Sequence, residues 1–114
     1  MFLASKAGMS GPESSHVFAP EGALDFHIAP ELNNSLEALI DQKPRRLVVD
    51  LSRVDYVDSS GLAVLIQAMQ SIEDGGGLFM LAGVPEPVRT ILESARLDGY
   101  FLQYPNVDAA LAAP

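Results

Sequence analysis

Cysteine is absent from this chain, and disulfide frameworks, thiolate nucleophiles, zinc–thiolate sites and iron–sulfur clusters are excluded with it. The same absence suits a reducing compartment. Basic residues are scarce: seven Lys and Arg stand against fifteen Asp and Glu, a formal net charge of -8. That balance repels nucleic-acid phosphates and anionic membrane surfaces, and it is compatible with a protein partner that presents a basic face. No apolar run approaches the ~18 residues of a membrane-crossing helix, so no direct membrane insertion is expected. The start, Met1 to Lys6, lacks the charged-then-apolar layout of a secretory signal, which makes the cytoplasm the expected location. Histidine occurs only at positions 16 and 27, with no third ligand at metal spacing, so His16 and His27 read as surface or core residues and no metal or cofactor is expected.

What is present is enough for one core. Hydrophobic residues make up 48% of 114 positions, the content of a single domain that needs no covalent staple. Residues 1–14 are weakly patterned and read as a weakly ordered N-terminal segment or an edge strand, with a turn around Ser10-Gly11-Pro12-Glu13-Ser14-Ser15. The domain proper is expected over 15–114. Val17-Phe18-Ala19 reads as a short strand, and Pro20, which cannot donate to a ladder, belongs at an edge or a strand end.

Pro30 opens a helix whose Leu32, Leu36, Leu39 and Ile40 share one face. Leu47-Val48-Val49-Asp50-Leu51 reads as a buried strand. Leu62, Leu65, Ile66, Met69 and Ile72 repeat at helical spacing until Gly75-Gly76-Gly77 stops the helix. A strand at 78–82, a helix after Pro85 with Val88, Ile91, Leu92 and Ala95 on one face, a strand at 100–102 and a last helix capped by Asn106 complete the pattern. Strands alternating with helices predict an α/β domain: a mixed, mostly parallel sheet of four to five strands, with about four helices packed mainly on one face.

The chemistry is concentrated in Asp55-Tyr56-Val57-Asp58-Ser59-Ser60-Gly61, where short polar side chains end a loop at a helix start. Their simplest role is capping of backbone N–H groups that have no intrahelical acceptor. A hydroxyl there is also open to a kinase, and a phosphate or free anion would meet the positive end of the helix dipole. Rival chemistries lack parts. Asp55 and Asp58 are explained by turns and caps. Gly75-Gly76-Gly77 follows a helix and precedes a strand, the reverse of a phosphate loop, and Ser59 has no identifiable histidine base. No catalytic residues are assigned, and the protein is not expected to be an enzyme.

The run Val54-Asp55-Tyr56-Val57-Asp58-Ser59-Ser60-Gly61-Leu62-Ala63-Val64-Leu65 resembles the signature of the STAS family, whose best-known members antagonise anti-sigma factors. Gly22-Ala23-Leu24-Asp25 is similar to the family's Gly-Glu-Leu-Asp element before the first helix, although Ala23 replaces the glutamate and Ile28 a residue that is often polar. Arg46 to Leu51 resembles the central strand, and Gly76-Gly77-Leu78, Pro87-Val88 and Leu97-Asp98-Gly99-Tyr100-Phe101 match the rest of the layout. The first strand is hardly visible, and Met9 offers an alternative initiator.

The resemblance implies a phosphorylation-controlled antagonist in stress-response signalling and transcription regulation. Ser59 is the implied phosphorylated residue, and Asp25, Asp58, Ser59, Ser60 and Gly61 are implied at the partner surface. The implied partners are an anti-sigma factor serine kinase of the histidine-kinase-like ATPase type, sequestered while Ser59 is unphosphorylated, and a metal-dependent serine phosphatase. Two alternatives stay open: a non-switching scaffold subunit of a stress-signalling complex, and the STAS subunit of a lipid-transport ABC system. A weak homodimer through the N-terminal edge also stays open.

Overall fold

The computed structural model describes the backbone of residues 3–8 and residues 14–113; the alternative start at Met9 and residues 10–13 of the turn expected over 10–15 lie outside them, while Ser14 and Ser15 belong to a strand and not to that turn. The described elements run β1 (Leu3–Gly8), β2 (Ser14–Ala19), β3 (Gly22–Leu24), α1 (Ala29–Ile40), β4 (Arg46–Asp50), β5 (Val54–Val57), α2 (Ser59–Asp74), β6 (Leu78–Ala82), α3 (Glu86–Ser94), β7 (Leu102–Tyr104) and α4 (Val107–Ala112). β2, β4, β6 and β7 lie parallel in one sheet of order β1-β2-β4-β6-β7, with β1 antiparallel at its margin. β3 and β5 pair separately as a small parallel sheet, with Ala23 opposite Tyr56 and Leu24 opposite Val57.

Side chains alternate across a strand, so β4 and β6 serve two cores. Leu47, Val49, Phe79 and Leu81 join Phe18 and the apolar faces of α1, α2 and α3. Val48, Met80 and Ala82 point the other way and meet Ala110 of α4. Burial on both faces explains why these strands read as continuous apolar runs and not as alternating ones. Three helices therefore share one face, and α4 covers the other. Arg46 fixes α4 there by donating from Nη1 to the carbonyl oxygens of Ala110 (3.0 Å) and Leu111 (2.8 Å) in the last turn of that helix.

Helix boundaries follow local chemistry. α1 carries Pro30 in its first turn and buries Leu32, Leu36 and Leu39. Asn106 caps α4 by accepting from the Ala109 N–H at 2.8 Å. Gly76 adopts φ 84° just beyond α2, a left-handed conformation that glycine accepts without a steric penalty. Among the described residues no helix is long and apolar enough to cross a membrane.

Pro20 falls at a strand end, just after the last residue of β2, so it removes no ladder bond and β2 keeps neighbours on both sides. Three local expectations are corrected. The stretch 54–57 is strand and not loop; its buried residues, Val54 and Val57, are three apart and give no period-two signal. β7 begins at Leu102, after a turn in which the Phe101 ring packs 6.1 Å from that of Phe79. Finally, α2 starts at Ser59, three residues before its apolar pattern begins at Leu62.

Leu65 is 1% exposed in the main core, whereas Ile66, expected on the same face, is only half-buried. Leu65→Ala should cost roughly 2–5 kcal/mol through lost burial and a residual cavity, and Ile66→Ala clearly less. Urea unfolding that ranks the two variants in the opposite order would show that the core face of α2 has been misread.

Candidate functional site

One carboxylate organises the start of α2. Asp58 has extended backbone (φ -98°, ψ -175°) and is the N-cap residue; its Oδ1 accepts from the N–H groups of Ser60 (2.8 Å) and Gly61 (3.1 Å). These are donors that the first helical turn cannot satisfy internally. Its Oδ2 turns outward from the helix and accepts from the Phe26 N–H at 3.1 Å. The Asp58 N–H donates in turn to the Leu24 carbonyl at 3.2 Å. The loop after β3 and the start of α2 are thereby tied together through both the side chain and the backbone of a single residue.

Gly61 makes the same junction possible by having no side chain. A Cβ at this position would fall inside contact distance of the Leu24 carbonyl oxygen, which is backbone and cannot swing aside. The run Asp58-Ser59-Ser60-Gly61 thus has a physical logic. Asp58 caps, Gly61 lets β3 approach, and the two serines between them are held in the first turn.

Ser59 is exposed and Ser60 half-buried. Among the described residues the Ser59 hydroxyl has no hydrogen-bond partner, so the fold makes no use of it. The capping expected of this segment falls to Asp58, not to Ser60. The expected welcome for an added anion is also altered. Two of the first-turn N–H groups are already taken by Asp58, and a phosphate on Ser59 would sit beside that carboxylate.

Asp25 lies half-buried at the mouth of α1. Its Oδ1 accepts from the N–H groups of His27 (3.1 Å) and Ile28 (3.3 Å), and its carbonyl accepts from Ile28 (3.1 Å) and Ala29 (2.9 Å). Asp25 is therefore a turn-forming residue as well as a surface one, on the loop that Asp58 holds. Asp58, Ser59, Ser60, Gly61 and the Asp25 loop form one locality. His16 is buried on β2 at 3% exposure, while His27 is exposed with its ring 4.0 Å from that of Phe26. Two exposed aromatics near the site, Phe26 and Tyr56, escaped the reading of the sequence. An aromatic in a three- or four-residue segment reads as core until the segment's burial is known.

A model of the STAS domain family matches residues 9–110. BtrV of Bordetella bronchiseptica, provisionally named an anti-sigma factor antagonist, is 29% identical over 82% of this chain and 78% of its own length. YvdB of Bacillus subtilis, provisionally named a sulfate transporter, is 31% identical over 74% of this chain, which corresponds to only 16% of that protein. The crystal structure of an anti-sigma factor antagonist from Mycobacterium paratuberculosis superposes with a TM-score of 0.80 at 27% identity, covering 97% of this chain and 92% of the other.

The junction yields its own test. Asp58→Ala should lower stability by about 0.5–2 kcal/mol for the cap, with a further increment for the orphaned Phe26 N–H. Gly61→Ala should cost about 1–3 kcal/mol or more, because backbone must move. Chemical denaturation that finds either variant as stable as the parent would show that the junction is not under this constraint.

Proposed function

We propose that this chain, which belongs to the STAS domain family, is an anti-sigma factor antagonist: a cytoplasmic protein-binding switch controlled by phosphorylation of Ser59, and not itself an enzyme. The observation that carries the reading is an exposed serine hydroxyl that does no work in the fold, presented at the rigid, capped start of α2 between Asp58 and Gly61. The similarity to antagonists across most of both chains supports the partner class. In this reading unphosphorylated Ser59 sits in the interface with an anti-sigma factor serine kinase of the histidine-kinase-like ATPase type, and sequestering that kinase frees the sigma factor. The kinase transfers the γ-phosphoryl group of ATP: the Ser59 Oγ bonds to phosphorus, the bond to the ADP oxygen breaks, and the hydroxyl proton leaves to the kinase's base. A metal-dependent phosphatase hydrolyses the phosphoserine and resets the switch.

The likeness to YvdB favours a second reading, in which a domain of this kind regulates a membrane transporter. The two differ in what phosphorylation does to kinase binding.

A phosphoserine adds about −1.5 to −2 charges that an interface would have to desolvate. Phosphorylation of Ser59 should therefore weaken kinase binding by roughly a hundredfold or more, since each ~1.4 kcal/mol is tenfold. Ser59→Asp should imitate part of the loss, and Ser59→Ala should bind without ever being released. Site mapping by mass spectrometry with a binding titration decides the matter: phosphate on Ser60, or undiminished binding of the Ser59-phosphorylated form, would sink the proposal. The non-enzymatic part falls if ATP hydrolysis or phosphatase turnover survives repurification and disappears in Ser59→Ala.

A further inference from the structure

We infer that Phe26 and Tyr56 are the apolar anchors by which the serine kinase acting on Ser59 holds this domain, each ring entering an apolar pocket rimmed by Lys or Arg; the inference rests on the reading of Ser59 above. Phe26 is 64% exposed and Tyr56 49%, the two most exposed large hydrophobic side chains among the described residues. Phe and Tyr are enriched at the centres of protein interfaces, where their large apolar area is covered.

Both flank Ser59. The Phe26 N–H is bonded to the carboxylate of Asp58, the residue before Ser59. Tyr56 precedes Ser59 by three residues, a span of at most about 11 Å. Their backbones are also fixed: Phe26 by the Asp58 bond and Tyr56 by pairing of β5 with β3. An anchor on a fixed backbone loses little conformational freedom on binding.

Charge selects the occupant. The segments that meet here, residues 21–31 and 54–61, contain no Lys or Arg, and they carry Glu21, Asp25, Glu31, Asp55 and Asp58. The neighbouring Arg53 is paired with Glu21 at 3.3 Å. A second copy of the chain would bring the same acidic face against this one, an arrangement that like charges oppose. A basic partner that must also reach the Ser59 hydroxyl is the enzyme that phosphorylates it.

The serine alone offers a kinase one hydroxyl, so affinity must come from groups that take no part in the chemistry. Removing such groups raises KM and leaves kcat nearly unchanged. The domain, as the full chain, is incubated with ATP and each histidine-kinase-like ATPase purified from the same genome, and Ser59 phosphate is followed by mass spectrometry. Phe26→Ala and Tyr56→Ala should each raise KM about tenfold or more, with kcat within roughly threefold of the parent. Tyr100→Ala is the control, since Tyr100 is also 48% exposed but precedes β7, at the opposite end of the parallel strands from the start of α2. Its KM should not change. Phosphate on Ser59 with parental KM in both anchor variants overturns this inference and leaves the switch intact. An equal KM rise in Tyr100→Ala, or a solution dimer that Phe26→Ala dissolves while KM stays parental, overturns it likewise. Absence of phosphate on Ser59 with every kinase overturns the switch and the inference together.

Discussion

The Asp58 carboxylate is the contact on which the functional end of this domain depends. One oxygen caps α2, and the other holds the backbone of Phe26, so the first turn of a long helix and the loop leading into α1 cannot move independently. The close approach of Gly61 to the Leu24 carbonyl removes the remaining slack. Both devices act on backbone, which leaves the intervening side chains free of structural duty. A modifiable hydroxyl is best placed where the fold neither needs it nor lets it wander, and Ser59 meets both conditions.

Much of the fold was legible because its central elements are strongly patterned. β4 and β6, buried on both faces, stood out as short continuous apolar runs, and α2 repeats its apolar residues at helical spacing over four turns. The small sheet was not legible. Gly22–Leu24 and Val54–Val57 are too short for periodicity, and their pairing depends on a contact between residues some thirty positions apart. That omission hid part of the site. With 54–57 read as loop, Tyr56 had no fixed place, and Phe26 lost its link to Asp58. The capping role of the segment was readable from residue types, but which residue caps was not, since Asp58, Ser59 and Ser60 are all competent acceptors. Backbone geometry chose Asp58.

The placement of α4 shows a similar limit. Asn106 marks the start of the helix in the sequence, but nothing there states which face of the sheet it covers. That choice is made by Val48, Met80 and Ala82, whose apolar side chains would otherwise face water, and by Arg46, which reaches the terminal carbonyls. The second face matters to the site indirectly. With both faces covered, the sheet is a rigid layer against which α2 presents its first turn.

A charge added at Ser59 would act differently in the free domain and in a complex, and the difference follows from solvent access. In the free domain a phosphate would stand beside the Asp58 carboxylate, with two first-turn N–H groups already committed to Asp58. At about 4 Å, two unit charges in water repel by only ~1 kcal/mol, a cost that a domain stable by roughly 5–15 kcal/mol can absorb. Covering the same surface with a partner lowers the effective dielectric, and the same pair then costs about 4 kcal/mol at a value near 20. Water that had screened the phosphate must also leave. The acidic face around Asp25, Asp55 and Asp58 therefore gives a modification at Ser59 little leverage over the fold and much over anything bound to that face. In the proposed reading, the charge added at Ser59 would change a partner's affinity without a second conformation of the domain.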